Sequence, residues 1–344
     1  MKERYTVSRD DSIYEAWPDV VLNSRGELIC IFTQCAFHLD RKGVSLMMTK
    51  SRDKGATWSK KKVFAASPDD TYTYNCARIN VLPDGRLAVI CDIGVDMAGK
   101  KESLVSKQHV WFSYDDGDTW KGPMAIPFRG IVPDKYRVLS NGRHFFAIHR
   151  KTDAGNLAQY AVYSDDGGET WRETLVAHDP DLNLCEASVV EVAPGVLVAF
   201  MRENSKRGLP CKKAISHDYG TTWEGVYDTN IECVHRPVVD FYEDGKLMMT
   251  YRYSQGGRAS MHDRFQNLFA AFFNTDTALA KELADNKSRI FPLHYDRSPM
   301  ADTGYSGWVR LDDGDFYVVN YTVDDAPKAY IVGYRFGLSD VILQ

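Results

Sequence analysis

No stretch of this chain approaches the ~18 consecutive apolar residues that a membrane-spanning helix needs, so no membrane partner is expected. Blocks of lysine or arginine and a basic tail are also missing. With a formal net charge of −5, nucleic acid is not expected as the main partner. There is no cysteine/histidine spacing of the zinc type and no glycine-rich phosphate loop, so neither a metal nor a cofactor is expected. The seven cysteines are odd in number and lack paired spacing, and they read as scattered reduced thiols rather than a disulfide framework. The opening MKERYTVSRDD is charged and has no signal-peptide apolar region, which implies a soluble cytoplasmic protein unless a leader has been trimmed. Core-forming residues are not scarce: 44% of the chain is hydrophobic and 12% aromatic, ample for a packed interior. Oligomeric state stays open.

What is abundant is repetition. SRDKGATW from Ser51, SYDDGDTW from Ser113, SDDGGETW from Ser164 and SHDYGTTW from Ser216 share the pattern S-x-D-x-G-x-T-W, with starts 62, 51 and 52 residues apart. Four copies at near-constant period mark a repeated structural unit. A second series runs in phase with the first: NSRGEL, LPDGRL, LSNGRHF, VAPGVL, YEDGKL and LDDGDF, with glycines at 26, 85, 142, 195, 245 and 314. Each lies between segments rich in β-branched and aromatic residues, the signature of a hairpin turn. Six such hairpins predict an all-β protein, a single six-bladed β-propeller domain over residues 1–344 with four-stranded blades. The Asp motif falls at the turn between the third and fourth strands of a blade. There Asp can accept backbone N–H groups and Trp can bury area between blades. After Gly314 only enough chain remains for three strands, so the N-terminal RYTVSRD is expected to supply the fourth and close the last blade.

The hairpin glycines also locate the chemistry. Nine residues before them stand Trp17, Cys76, Pro133, Glu186, Arg236 and Tyr305; seven residues after them stand Thr33, Asp92, His149, Arg202, Arg252 and Tyr321. Arg78 shares the strand parity of Cys76. Buried strands rarely carry this many ionisable groups unless they are paired or functional. Several arginines converging in an acidic chain imply an anionic ligand, since the guanidinium fork pairs with carboxylate bidentately. His149 reads either as an acid/base or as a satisfied core histidine.

The S-x-D-x-G-x-T-W motif resembles the Asp-box of the sialidase superfamily and its BNR repeat proteins, and the likeness spans nearly the whole chain. CEASVVEVAPGVLVAFMR resembles the family's stretch bearing a glutamate and, 16 residues on, a ligand-binding arginine, here Glu186 and Arg202. DTGYSGWVRLDDG resembles the segment with the nucleophilic tyrosine, here Tyr305. The family's catalytic acid is an aspartate shortly before the first Asp-box; Asp40 matches, and His38 competes with it. The resemblance implies an exo-acting, retaining glycoside hydrolase for an acidic terminal sugar. Tyr305 would attack, Glu186 would take its proton, and Asp40 or His38 would protonate the leaving oxygen. Arg202, Arg236 and Arg78 or Arg252 would bind the sugar carboxylate.

One departure is plain. Where the family has the first arginine of its carboxylate-binding triad, this chain has Trp17, in YEAWPDVVL. Trp17 would stack on a sugar face or pack between blades, and Arg78 in YNCARI would replace the lost cation. The acidic sugar is therefore sialic acid or a related nonulosonic or uronic acid. Two other classes compete: a lyase on uronic-acid polysaccharide using Tyr305 or a histidine as base, and a non-catalytic carbohydrate-binding propeller. Weaker signals are His262, Asp263 and Arg264 in SQGGRASMHDR, and TDTALAKELADNK at 275–287, read as a surface helix between the fifth and sixth blades at an oligomer contact.

Overall fold

The structure is a computed structural model that describes residues 2–41, 43–69, 72–95, 106–255 and 265–341. Strand dominates it, in six antiparallel sheets of the six-bladed β-propeller class. Blade one runs Tyr14–Leu22, Leu28–Cys35, Ser45–Ser51 and Lys62–Ala66. In blade two the first-strand position is split between Tyr72–Tyr74 and Arg78–Val81, both paired with Leu87–Val95. Blades three to five follow in strict sequence order. The sixth consists of Thr303–Arg310, Phe316–Thr322 and Tyr330–Phe336, with the N-terminal Glu3–Ser8 antiparallel to the last of these. The expected closing strand is thus present: β-rich sequence at one end of the chain completes a sheet whose other strands lie at the opposite end.

The sheets fall into two compact units, residues 1–129 with 295–344, and 130–294. In the first unit Tyr14–Leu22 packs against Thr303–Arg310 and Arg78–Val81; in the second, Leu184–Ala193 packs against His144–Lys151 and Val234–Glu243. Tyr14–Leu22 and Leu184–Ala193 are buried over most of their length, whereas the fourth strand Lys62–Ala66 has no buried residue. All seven cysteines are free and buried.

Each Asp motif closes the turn after a third strand through the same set of bonds. In the first copy Ser51 Oγ donates to Asp53 Oδ1 (2.8 Å) and accepts the Gly55 N–H (2.9 Å). Asp53 accepts the Thr57 N–H at 2.9 Å and the Thr57 hydroxyl at 2.5 Å. The copies at Asp115, Asp166 and Asp218 repeat the Ser and Thr bonds. The hydroxyl and amide of Thr119 hold Asp115 down at about 2. Hydrogen bonds to the ionised form are what depress it. Three of the four motif tryptophans reach a neighbouring blade, Trp58 meeting Tyr317, Trp120 meeting Phe64 and Trp223 meeting Phe145, while Trp171 packs on Phe146 of its own blade. These aspartates are turn staples, as expected from the sequence.

The helix expected at 275–287 is shorter and lies elsewhere. A helix at Thr275–Leu279 and a 3₁₀ turn at Leu283–Asp285 connect the third and fourth strands of blade five, not blades five and six. Blade five has no Asp motif to announce its fourth strand, Arg289–Tyr295, so the sequence placed the helix beyond the blade. Buried Lys213 anchors the insertion, its Nζ donating to Thr277 O and Asn286 Oδ1.

Two glycines separate backbone from packing demands. Both Gly26 (φ +75°) and Gly55 (φ +89°) lie in the left-handed region, but a Cβ on Gly26 meets nothing, while one on Gly55 falls 1.9 Å from the Tyr317 ring. Gly26→Ala is expected to cost about 1–2 kcal/mol, the left-handed penalty alone. Gly55→Ala should cost clearly more, because the ring it strikes also donates its hydroxyl to Gly55 O at 2.9 Å. Urea midpoints of the two variants check this; equal losses would deny the packing role.

Candidate functional site

Four first strands carry the same irregularity. Pairing with the second strand slips between Ala16 and Asp19, between Cys185 and Ser188, between His235 and Val238, and between Thr303 and Ser306. Each slip is a two-residue bulge whose first member is left-handed: Trp17 (φ 55°), Glu186 (φ 48°), Arg236 (φ 50°) and Gly304 (φ 103°). Proline fills the second position after Trp17 and Arg236, where it has no N–H to leave unpaired. A left-handed non-glycine residue costs ~1–2 kcal/mol, so bulges of this kind persist where they re-aim a side chain. In the sixth blade glycine takes the strained position and Tyr305 follows it, so Tyr305 escapes the conformation forced on Trp17, Glu186 and Arg236.

In the first unit these strands assemble an aromatic and ionisable cluster. Trp17 is buried, with the Tyr14 ring 5.7 Å, the His38 ring 5.1 Å and the Tyr321 ring 6.0 Å from its own. The Arg41 guanidinium lies 3.8 Å over the Trp17 ring and donates to Asn75 Oδ1 at 3.1 Å. Tyr305 is buried, its ring 6.4 Å from that of Tyr321. Asp302, three residues earlier, accepts from Tyr321 OH (2.8 Å) and Tyr14 OH (2.5 Å) and lies 2.8 Å from His38 Nδ1. Burial, reinforced by the charge of Asp302, holds the Tyr14 phenol well above its ordinary value. Asp40 is exposed; its backbone pairs with that of Phe37, closing the turn that carries His38.

Arg78 has a structural engagement here. It is buried and donates to Ser306 O at 2.8 Å, with Asp19 at 3.8 Å. Asp19 in turn accepts the Ile79 N–H at 3.1 Å, tying blade one to blade two. Arg78 therefore joins first strands of three blades.

In the second unit Glu186 and Arg202 form an ion pair (Oε2 to NH1, 2.9 Å), and Arg202 NH2 donates to Asn204 Oδ1 at 2.7 Å. The strand register sets Arg202 opposite Cys185, beside the bulge, so the 16-residue spacing read from the sequence corresponds to a contact. Arg236 is turned to the fold: NH1 donates to Val132 O (3.1 Å) and NH2 to Pro133 O (2.8 Å). Arg252 is buried on Lys246–Gln255 opposite His235. His149 is a core histidine, its Nδ1 accepting the Glu186 N–H at 3.2 Å. Burial first, then Arg236 and Arg202 against the opposing pull of Glu186, brings it down to about 4. It stays neutral near pH 7, as an accepting Nδ1 requires.

Sequence patterning alone assigns no role to Tyr14, Asp302, Arg41 or Asn75. Asp302 stands at the head of the DTGYSGW segment, so proximity to Tyr305 was its available signal. His262, Asp263 and Arg264 lie outside the described residues.

The fold and these bulged, ionisable first strands define a propeller of the repeat type that displays Asp-boxes. A model of the BNR repeat-like domain matches residues 69–318, and the chain belongs to that family. It is 28% identical over 252 residues to a sialidase of Bacteroides fragilis (strain YCH46), covering 62% of this chain and 44% of that protein. A sialidase of Paraclostridium sordellii is also 28% identical over 219 residues, covering 55% and 51%. The chain thus spans about half the length of the curated relatives it matches. Among solved structures, a protein of unknown function from Dyadobacter fermentans DSM 18053 aligns with TM-score 0.76 at 22% identity, over 97% of each chain. The Hadza microbial sialidase Hz136 aligns with TM-score 0.72 at 19% identity, over 96% of this chain and 66% of that one.

The depressed His149 carries a pH signature. Its folded value lies below the ordinary 6.5, so the unfolded chain binds the extra proton first. Its contribution is fully present above pH 6.5 and is lost as pH falls towards about 4. From that interval it amounts to on the order of 3 kcal/mol. The stability gap between wild type and His149→Asn should therefore shrink across this window in denaturant melts at stepped pH. A constant gap would mean that His149 is charged in the folded protein.

Proposed function

We propose that this chain is a sialidase-type glycoside hydrolase that removes a terminal acidic sugar, sialic acid or a related nonulosonic or uronic acid, in exo fashion with retention. The observation that carries the reading is the shared bulge: in four blades it turns, at strain, Trp17, Glu186, Arg236 and the Gly304–Tyr305 pair out of register. Membership of the BNR repeat-like family and the similarity to proteins named sialidases support it.

The chemistry follows from the substrate's charge. A sugar with a carboxylate on its anomeric carbon repels an anionic nucleophile, and a neutral phenol avoids that repulsion. In this reading Tyr305 attacks the anomeric carbon, Glu186 takes the phenolic proton, and His38 or Asp40 protonates the departing oxygen. The Glu186–Arg202 ion pair holds the glutamate side chain in place beside the bulge. In this reading Arg202 and Arg236, with Arg78 or Arg252, bind the sugar carboxylate. Trp17, already a stacking surface for Arg41, offers an aromatic face to the sugar ring. A lyase remains the second reading, favoured by the His38–Asp302 contact, which suits a base abstracting a proton next to a carboxylate.

Tyr305→Phe is expected to abolish release of 4-nitrophenol from acidic aryl glycosides by about 10³-fold or more while leaving binding of the free acidic sugar within a few-fold. Glu186→Gln should lower kcat with little change in KM. Retained turnover in Tyr305→Phe would remove the phenol from the mechanism, and an unsaturated product absorbing in the ultraviolet would move the protein to the lyases.

A further inference from the structure

Two oxygens face one ring nitrogen in the first unit. His38 Nδ1 lies 2.8 Å from Asp302 Oδ2 and 2.9 Å from the Tyr14 hydroxyl. The Tyr14 hydroxyl is itself 2.5 Å from the same Oδ2, and Tyr321 donates to Oδ1 at 2.8 Å. The Tyr14 phenol keeps its proton, because burial and the neighbouring carboxylate oppose ionisation. That proton goes to Asp302, so the Tyr14 oxygen presents only lone pairs to the imidazole. Both neighbours of Nδ1 are then acceptors. A bare Nδ1 would set three lone-pair-bearing atoms against one another; a protonated Nδ1 satisfies all of them. The geometry fixes the tautomer, and the exchangeable site is Nε2.

The surroundings hold the ring in place. Trp17 stands 5.1 Å away at 81° and Tyr14 5.9 Å away at 68°, both edge-on. Asp302 is buried and fixed by two phenols, and its own N–H donates to Asp296 Oδ2 at 3.2 Å. Asp40 has a different part: its N–H and C=O each bond Phe37 at 3.1 Å, closing the turn from which His38 projects, while its side chain is exposed.

We infer that His38, and not Asp40, is the residue that protonates the leaving group, and that Asp302, with Tyr14 and Tyr321 behind it, is the positioning group that fixes its tautomer. The inference rests on the hydrolase reading above. In the first step the Tyr305 oxygen bonds to the anomeric carbon, its proton passing to the base. The glycosidic C–O bond breaks, its electron pair goes to the leaving oxygen, and that oxygen takes the proton from His38 Nε2. In the second step the now neutral Nε2 takes a proton from water as water's oxygen displaces the tyrosine, and the phenolate recovers its proton from the base. Asp302 keeps its charge throughout and stabilises the imidazolium.

Leaving-group dependence tests this, because a residue that only supports the fold lowers all substrates alike. The probes are the 4-nitrophenyl and alkyl glycosides of one acidic sugar, assayed with wild type, His38→Gln, Asp302→Asn and Asp40→Asn. His38→Gln should lose about 10²–10⁴-fold on the alkyl glycoside, which needs a proton, and less than about 10-fold on the nitrophenyl glycoside, which does not. Asp302→Asn should show the same skew at smaller size, and Asp40→Asn, which alters only the turn carrying His38, no skew between the two glycosides. A skewed loss in Asp40→Asn, or an even loss in His38→Gln, overturns the inference while the hydrolase reading stands. If wild type cleaves neither glycoside, the hydrolase reading fails and the acid role with it. Long-range ¹⁵N NMR of the His38 ring then tests the remaining claim: a proton on Nδ1 in wild type that shifts in Asp302→Asn upholds the positioning role, and a proton on Nε2 alone in neutral wild type overturns it.

Discussion

The left-handed bulge in the first strand of a blade is the constraint on which the ionisable groups depend. A regular strand sends alternate side chains to the two faces of its sheet, and in these blades both faces are packed. A carboxylate or guanidinium held at such a position would have to be buried dry. The bulge breaks the alternation at one point per strand, so Trp17, Glu186 and Arg236 leave the sheet faces without ending the strand. The strained backbone is retained by firm pairing on either side. Ser188 to Ala193 and Asp19 to Leu22 stay bonded to their second strands, and neighbouring first strands are laced by side chains that accept main-chain N–H groups. Asp19 takes that of Ile79, Asp134 that of Val189, and Ser188 that of Val239.

The arginines divide by what they touch. Arg78 and Arg236 are both buried and both donate to backbone carbonyls, Arg78 to that of Ser306 and Arg236 to those of Val132 and Pro133, so both are engaged by the fold itself. Arg202 is paired with a carboxylate at a bulge, and Arg41 stacks on an indole. Residue type alone could not separate these cases. A guanidinium has five donors in a rigid fork, and it serves a carbonyl cage or a ligand carboxylate equally well.

Legibility followed the range of the interactions. The Asp-box turns could be read because every bond in them joins residues within a few positions, so the motif carries its own geometry. The hairpin glycines are local in the same sense. The Glu186–Arg202 contact was readable because a hairpin of known length fixes which residues of its two strands come together. The inserted helix was misplaced for the converse reason: where blade five lacks the motif, no local signal marks its fourth strand.

The sequence by itself determined the repeat, the number of blades, the closing strand and the positions along each blade where polar groups interrupt an apolar core, since all of these are encoded in short-range spacing. Only the tertiary structure decided which of those groups meet. Tyr14 and Asp302 are 288 residues apart, yet the Tyr14 hydroxyl donates to Asp302 beside His38, because the chain's two ends build adjacent blades in one compact unit. No periodicity encodes such a contact. It exists because the first blade packs on the last, and a histidine between two buried acceptors acquires its tautomer from that packing rather than from its neighbours in the chain.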